Sequence, residues 1–164
     1  MNMNDENLIR RDRMRFIKNS QSANLCYLAI LLNVFYFVSI YKSDVGTYYY
    51  NILIGVSIVY NLIFMLAVFL ASEEVKNYGK NYSYLLIVIG ILQICRIFIL
   101  PMRAHTAKTV VNGVEVLVMH NGQFIRVCIY LAASAACLIL AALINIKKCN
   151  ELNEHMKSIG VQNT

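Results

Sequence analysis

The most regular feature of this sequence is a set of four long apolar runs separated by short polar segments. The runs cover residues 23–41, 50–72, 82–102 and 123–146, and the first two carry no charged residue. Each run has roughly 20 residues, which at ~1.5 Å per helical residue crosses a hydrocarbon core of ~30 Å. Apolar residues lie all round each run, so no face is left for water. The pattern therefore predicts four transmembrane helices.

Composition agrees with this pattern and narrows the class of protein. The chain has 164 residues, of which 59% are hydrophobic and 15% charged, whereas soluble domains have about 25% charged residues. The single proline excludes a collagen-like chain, and the apolar content excludes a disordered one. The predicted fold class is an all-α integral membrane protein, a four-transmembrane-helix bundle that forms a single domain over residues 1–164.

Lysine and arginine residues are distributed unevenly between the two sides of the predicted spans. Of the fifteen basic residues, ten lie in the N-terminal segment 1–22, the loop 73–81 and the tail 147–164, and three lie in the loops on the other side. Because cytoplasmic segments carry the excess of lysine and arginine, both termini are expected to be cytoplasmic, in a plasma or inner cell membrane. The net charge of +6 then follows from topology, and no nucleic-acid partner is expected.

The N-terminal segment 1–22 predicts a short amphipathic surface helix. Ile9, Phe16 and Ile17 recur at helical spacing, which is typical of a helix lying in a membrane interface. Basic residues cover much of the remaining surface and are expected to contact anionic headgroups. They are Arg10, Arg11, Arg13, Arg15 and Lys18. The alternative is a plain basic flank that orients the first span.

The extracytoplasmic loop 103–122 predicts a β-hairpin. Asn112-Gly113 lies between apolar residues, and both residues accept the positive φ angles of a tight hairpin turn. Pairing Val111 with Val114 places four valines on one face: Val111, Val114, Val116 and Val118. An apolar face of this kind needs cover, so we expect it on the outer lip of the bundle or against a partner.

Uncharged polar residues are predicted at similar depths near the middle of the membrane. They are Asn33, Asn61, Gln93 and Ser134, one in each span. Polar groups are costly in hydrocarbon, so each needs a partner or a cavity. Two hypotheses follow. The side chains hydrogen-bond to one another and fix the helix register, or they line a polar path.

Two arginines lie within the spans, and both fall in the predicted outer half. Arg96 lies in the third span and Arg126 near the start of the fourth, while Arg103 follows the third span, so the three are expected to converge on the outer half of the membrane. No aspartate or glutamate lies in any of the four apolar runs. Arg96 therefore has three alternatives: it extends to the outer headgroups, it pairs with an acid on another subunit, or it helps form a basic vestibule for an anionic solute.

Sequence motifs for catalysis and for cofactor binding are absent. The chain has no glycine-rich phosphate loop and no His-Glu-x-x-His motif. His105 and His120 flank the predicted hairpin without a third ligand, which is a weak basis for a metal site. We therefore expect no enzyme activity, no cofactor and no metal.

The leading functional interpretation is a non-catalytic, small integral membrane subunit, an accessory or assembly subunit of a larger complex such as a transporter. Its expected partners are the lipid bilayer and other membrane protein subunits. The alternative is a self-sufficient homo-oligomeric channel or carrier for a small or anionic solute, with a path along Asn33, Asn61, Gln93 and Arg96. A third hypothesis is a membrane-surface sensor that acts through the N-terminal segment.

Overall fold

Long helices dominate the structure. The computed structural model describes residues 19–40, 48–111 and 114–158. In chain order, the elements are α1 (Ser20–Ile40), α2 (Tyr48–Lys76), α3 (Lys80–Ile99), α4 (Pro101–Thr106), β1 (Lys108–Val111), β2 (Val114–Leu117) and α5 (Asn121–Ser158). Helices α1, α2, α3 and α5 are long and apolar enough to cross a membrane, which confirms the prediction of four spans.

The last helix continues beyond the apolar run that predicts it. The predicted span ends at residue 146 and a tail follows over 147–164, whereas α5 runs to Ser158. Its last part buries Cys149 and Met156 among charged residues, and Lys147 Nζ lies 4.0 Å from Glu151 Oε1. Because lysine, glutamate and leucine are good helix formers, the helix extends past the hydrophobic stretch, and the described part of the tail belongs to α5.

Helix α5 lies at the centre of the bundle and α2 at its edge. The interfaces of α5 with α1 and α3 are the largest, the α1–α2 interface is smaller, and the α2–α3 interface is the smallest of these four. The most apolar window of α2 is 17% buried, against 33% for α1 and 39% for α3 and α5. Much of α2 is therefore left to contact lipid or another protein.

A tight turn joins α2 to α3. Tyr78 adopts a positive φ of 64°, and the Gly79 N–H donates to the Glu74 carbonyl at 2.9 Å, which ends α2. A Cβ atom at Gly79 would lie 3.0 Å from that carbonyl oxygen. The turn thus leaves little room for a Cβ atom at position 79.

Two apolar clusters fill the bundle, and a polar layer separates them. The cluster nearer the α2–α3 turn contains Cys26, Ala29, Phe64, Val68, Ala71, Val75, Leu86, Ile89, Leu138, Ala141 and Ala142. The cluster nearer the strands contains Tyr36, Ile40, Leu100, Ala104, Met119, Val127 and Leu131. Each long helix adds buried polar residues between them: Asn33, Asn61, Gln93, Arg96 and Ser134. The functional candidates therefore lie in this layer.

The strands β1 and β2 pair in an antiparallel register between α4 and α5. Val111 lies opposite Val114 and Thr109 opposite Val116, and the Val118 N–H donates to the Ala107 carbonyl at 3.0 Å. The intervening residues 112–113 lie outside the described residues, so the Asn-Gly turn stays a prediction.

Candidate functional site

Three amides from three helices form the centre of the polar layer. Asn33 Nδ2 donates to Asn61 Oδ1 at 3.1 Å, and Gln93 Nε2 donates to Asn33 Oδ1 at 3.2 Å. None of the three residues is more than 2% exposed. These bonds join α1, α2 and α3 at one depth, which is how buried amides hold membrane helices in register.

Arg96 adds a cation to the same layer. Its Nη1 donates to Asn61 Oδ1 at 2.7 Å and to Asn33 Oδ1 at 3.3 Å, and its Nη2 donates to Ser57 Oγ at 2.8 Å. The residue is 6% exposed. Hydrogen bonds from a charged donor are stronger than bonds between neutral groups, so Arg96 contributes strongly to holding α3 against α1 and α2.

Two tyrosine rings lie against the guanidinium. Arg96 Cζ lies 4.4 Å from the ring centroid of Tyr36 on α1 and 4.6 Å from that of Tyr60 on α2. A desolvated cation–π contact contributes about 2 kcal/mol. We call the residues that surround the guanidinium the arginine cage. They are Asn33, Tyr36, Ser57, Tyr60 and Asn61.

Within the arginine cage, the side chain of Arg96 points into the bundle. A snorkelling arginine follows the protein surface so that its charged group reaches water or headgroups. Arg96 lies instead on the buried face of α3, in line with Ile89, Gln93 and Leu100. Of the three alternatives for this residue, the structure does not show the extension to the outer headgroups.

The arginine cage contains no negative charge. In the described residues the ion pairs lie elsewhere, between Lys76 and Glu73, between Lys108 and Glu115, and between Lys147 and Glu151. Neutral hydrogen-bond partners offset only part of the desolvation cost of a buried ion. Among the described residues, the layer therefore holds a positive charge without a carboxylate partner.

A cavity of about 160 Å³ opens between α2 and α3 beside the arginine cage. We call this cavity the α2–α3 cleft. It is lined by Leu53, Val56, Ser57, Tyr60, Leu92, Cys95, Arg96, Ile99 and Leu100. Val56 is 61% exposed and Ile99 54% exposed, so the cleft opens on the outside of the bundle. Only Ser57 and Arg96 bring strongly polar groups to a wall that is otherwise mostly apolar.

Arg126 lies in a different place from Arg96. It lines a cavity of about 320 Å³ at the strand-side end of α1 and α5, with Phe35, Val38, Ser39, Gln123 and Tyr130. None of these residues lines the α2–α3 cleft. The two span arginines thus line separate cavities, and their expected convergence on the outer half of the membrane stays a prediction. Depth along two helices is predictable from sequence, but the faces they present are not.

Ser134 does not join the network of amides either. Its hydroxyl donates to the Ala29 carbonyl at 3.0 Å, which ties α5 to α1. Gly90 on α3 packs directly against α5, because a Cβ atom at this position would lie 3.1 Å from Ile139 Cγ1. Ser134 and Gly90 thus serve the central packing of α5.

A second polar cluster, near the α2–α3 turn, was not expected from the sequence. Asn145 Oδ1 accepts from Asn19 Nδ2 at 2.9 Å, and Asn145 Nδ2 donates to Ser83 Oγ at 2.7 Å and to the Gly79 carbonyl at 3.2 Å. Lys148 Nζ donates to Asn19 Oδ1 at 3.0 Å. Asn145 lies one residue before the end of the fourth apolar run. A polar residue is common where a span ends, so the sequence did not mark Asn145 as a buried contact.

Of the remaining predicted contact residues, the structure describes the side chains of Val116 and Val118 only. Val116 is 44% exposed and Val118 half-buried, while the side chains of Val111 and Val114 and the basic residues 10–18 lie outside the description. His105 stacks on Phe124 with ring centroids 4.4 Å apart. Among the described residues no group of three potential ligands for a metal ion occurs.

The fold and this layer define the class of protein as a helical transmembrane protein with four spans. Comparisons with models of protein families, with curated proteins and with solved structures gave no match to this chain. Function therefore has to be argued from the arginine cage, the α2–α3 cleft and the charges around them.

Proposed function

We propose that this protein is a non-catalytic subunit of a larger membrane assembly, an accessory or assembly subunit of a complex such as a transporter. The observation that carries the proposal is Arg96, a buried cation in a membrane-spanning helix. The four apolar runs contain no aspartate or glutamate that could pair with Arg96. An intramembrane charge is costly and is typically kept for a function, and an acid on another subunit would offset that cost.

The position of Arg96 supports this proposal further. Its guanidinium lies beside the smallest of the four helix interfaces, where the α2–α3 cleft faces outward. Over residues 52–70 the exposed surface of α2 is apolar, with Val59, Leu62 and Leu66 each more than half exposed. A second membrane protein can therefore approach the cleft without displacing any helix of this bundle.

A homo-oligomeric channel or carrier is less well supported. Asn33, Asn61 and Gln93 bind one another and are at most 2% exposed. In the described residues these amides form a closed layer, whereas a path for a solute needs polar groups that face water.

The proposal includes a topology. Both termini lie in the cytoplasm, the N-terminal surface helix lies on the same side, and the strands lie outside a plasma or inner cell membrane, because ten of the fifteen basic residues flank that cytoplasmic side. Labelling of intact cells with a membrane-impermeant thiol reagent tests it. Val110→Cys should react, since Val110 is 67% exposed, whereas Thr164→Cys should react only after permeabilisation, with the unmodified chain as control. The reverse result would contradict this topology.

Extraction from native membranes in a mild detergent tests the functional proposal. We expect a second membrane protein at a fixed stoichiometry by native mass spectrometry. Arg96→Leu should lose that protein, and Arg126→Leu, which removes the other span arginine, should keep it. A single-species homo-oligomer that transports a solute in liposomes would overturn the proposal.

A further inference from the structure

The α2–α3 cleft has a shape and charge that fit one kind of occupant. We infer that it receives an aspartate or glutamate side chain from a membrane-spanning helix of a different protein, and that this carboxylate pairs with Arg96. The inference deepens the proposed function and rests on it. It adds the contact surface, the chemistry of the partner and the depth at which the partner binds.

The size of the cleft favours a side chain over a larger ligand. Pockets for small molecules have about 300–1,000 Å³, whereas the cleft has about 160 Å³. Its mouth is apolar, since Val56, Leu92 and Ile99 are close to half exposed or more. A neighbouring helix that packs against this apolar rim can place one acidic side chain inside.

The charge and the free donors in the layer favour a carboxylate. Arg96 Nη2 donates to Ser57 Oγ, and both residues line the cleft. The hydrogen bonds of Arg96 use only part of the N–H groups of a guanidinium. In the described residues, Asn61 Nδ2 is also buried without a hydrogen-bond partner. A carboxylate accepts several hydrogen bonds and supplies the missing negative charge.

The apolar runs of a second copy of this chain supply no acid at this depth. All of its nine acidic residues lie outside the apolar runs. On α2, Glu73 follows Asn61 by twelve residues, which is ~18 Å along the helix axis. Glu115 is on β2 and bound to Lys108. We therefore place the carboxylate on a membrane-spanning helix of a different protein.

One isosteric substitution imitates the proposed partner from within the chain. Asn61→Asp places a carboxylate where Oδ1 already lies 2.7 Å from Arg96 Nη1, so the charge is neutralised without the partner. We expect this variant to fold and to bind the partner at least about tenfold more weakly. Asn150→Asp is the matched control, since Asn150 is exposed and bound to Lys80. Partner binding that is equal in the two variants would overturn the inference.

Photocrosslinking in native membranes locates the contact. A benzophenone amino acid at Ile99 reports on the cleft, and one at Leu143, 53% exposed on α5, is the control. We expect Ile99 to crosslink a membrane-spanning peptide with an aspartate or glutamate within one turn, and Arg96→Leu to abolish this product. Crosslinks to a stable partner only from Leu143 would overturn the inference and leave the proposed function intact. Crosslinks from Ile99 only to lipid or to a second copy would also overturn it. A chain that captures no second protein would overturn both.

Discussion

Arg96 Nη1 lies 2.7 Å from Asn61 Oδ1, and this short bond crosses the smallest of the four main interfaces between the long helices. The α2–α3 interface is smaller than those of α1 with α5, α3 with α5 and α1 with α2. A charge-assisted hydrogen bond therefore holds α2 to α3 where side-chain packing is weak. The cleft beside it stays open because polar contacts, and not close packing, join the two helices at this depth.

Replacing Arg96 by lysine tests whether the planar guanidinium is required. Lysine keeps the charge but is a point donor that cannot span Asn61, Asn33 and Ser57 together. We expect Arg96→Lys to destabilise the bundle by about 1–3 kcal/mol, and Arg126→Leu to change stability by less than about 0.5 kcal/mol. Because the chain has no tryptophan, thermal unfolding is best followed in a background in which the other four cysteines are replaced by alanine, with a thiol-reactive dye that reaches the buried Cys26 only on opening. Equal stability of Arg96→Lys and the parent chain would contradict a geometric role.

Substitutions at Tyr60 separate the ring from its hydroxyl. The Arg96 Cζ lies 4.6 Å from the Tyr60 ring centroid, and phenylalanine keeps this cation–π contact. We expect Tyr60→Phe to unfold close to the parent temperature and Tyr60→Leu to lose about 1–2 kcal/mol. The same dye assay measures both. If the two variants lose equal stability, the ring contributes nothing specific to holding the cation.

The polar cluster near the α2–α3 turn should also be stabilising. Asn145→Ala removes three hydrogen bonds and leaves Asn19 and Ser83 buried with fewer partners. The expected loss is about 1–3 kcal/mol. Asn150→Ala, on the exposed side of the same helix, is the control and should lose less than about 0.5 kcal/mol. Thermal unfolding in detergent compares them, and similar losses for both would show that the cluster adds no stability.

The two span glycines provide a matched pair for the packing of α3 on α5. A Cβ at Gly90 would lie 3.1 Å from Ile139 Cγ1 and 3.4 Å from the Ala135 carbonyl, whereas a Cβ at Gly55 would meet nothing within 4 Å. We expect Gly90→Leu to cost about 1–3 kcal/mol or more through overpacking, and Gly55→Leu to leave stability unchanged. Unfolding temperatures in detergent test the pair. A larger loss at Gly55 would mean that a neighbour absent from the described chain covers that face.

The four spans were predictable because length and hydropathy alone decide whether a helix can cross a membrane. The end of α5 was not, because lysine and glutamate continue a helix after the apolar run has stopped. Whether Gly55 and Gly90 face a neighbour depends on helix rotation, and only Gly90 does. Hydropathy contains no information on rotation when a helix is apolar on every side.

Within the site, the sequence predicted the depth of each polar residue in the membrane but not the direction in which its side chain points. Asn33, Asn61 and Gln93 were placed at one level, and the structure brings them into contact there. Ser134 was placed at the same level, yet it bonds to the Ala29 carbonyl instead. Tyr36 and Tyr60 were missed because tyrosines in apolar runs are common. The sequence spacing could have indicated them, since each tyrosine lies within one helical turn of an amide that binds Arg96. Tyr36 follows Asn33 by three residues, and Tyr60 directly precedes Asn61.

The polar layer also has a consequence for how the chain enters the membrane. Every residue of the arginine cage precedes Arg96 in sequence, on α1 and α2, and synthesis proceeds from the N-terminus. An arginine near the centre of a helix adds about 2.5–3.5 kcal/mol to the cost of insertion. When α3 emerges, the acceptors and aromatic faces that receive its charge have already been made. Because of this order, the first two spans provide the hydrogen-bond acceptors and aromatic rings that replace water around the charge of the third span.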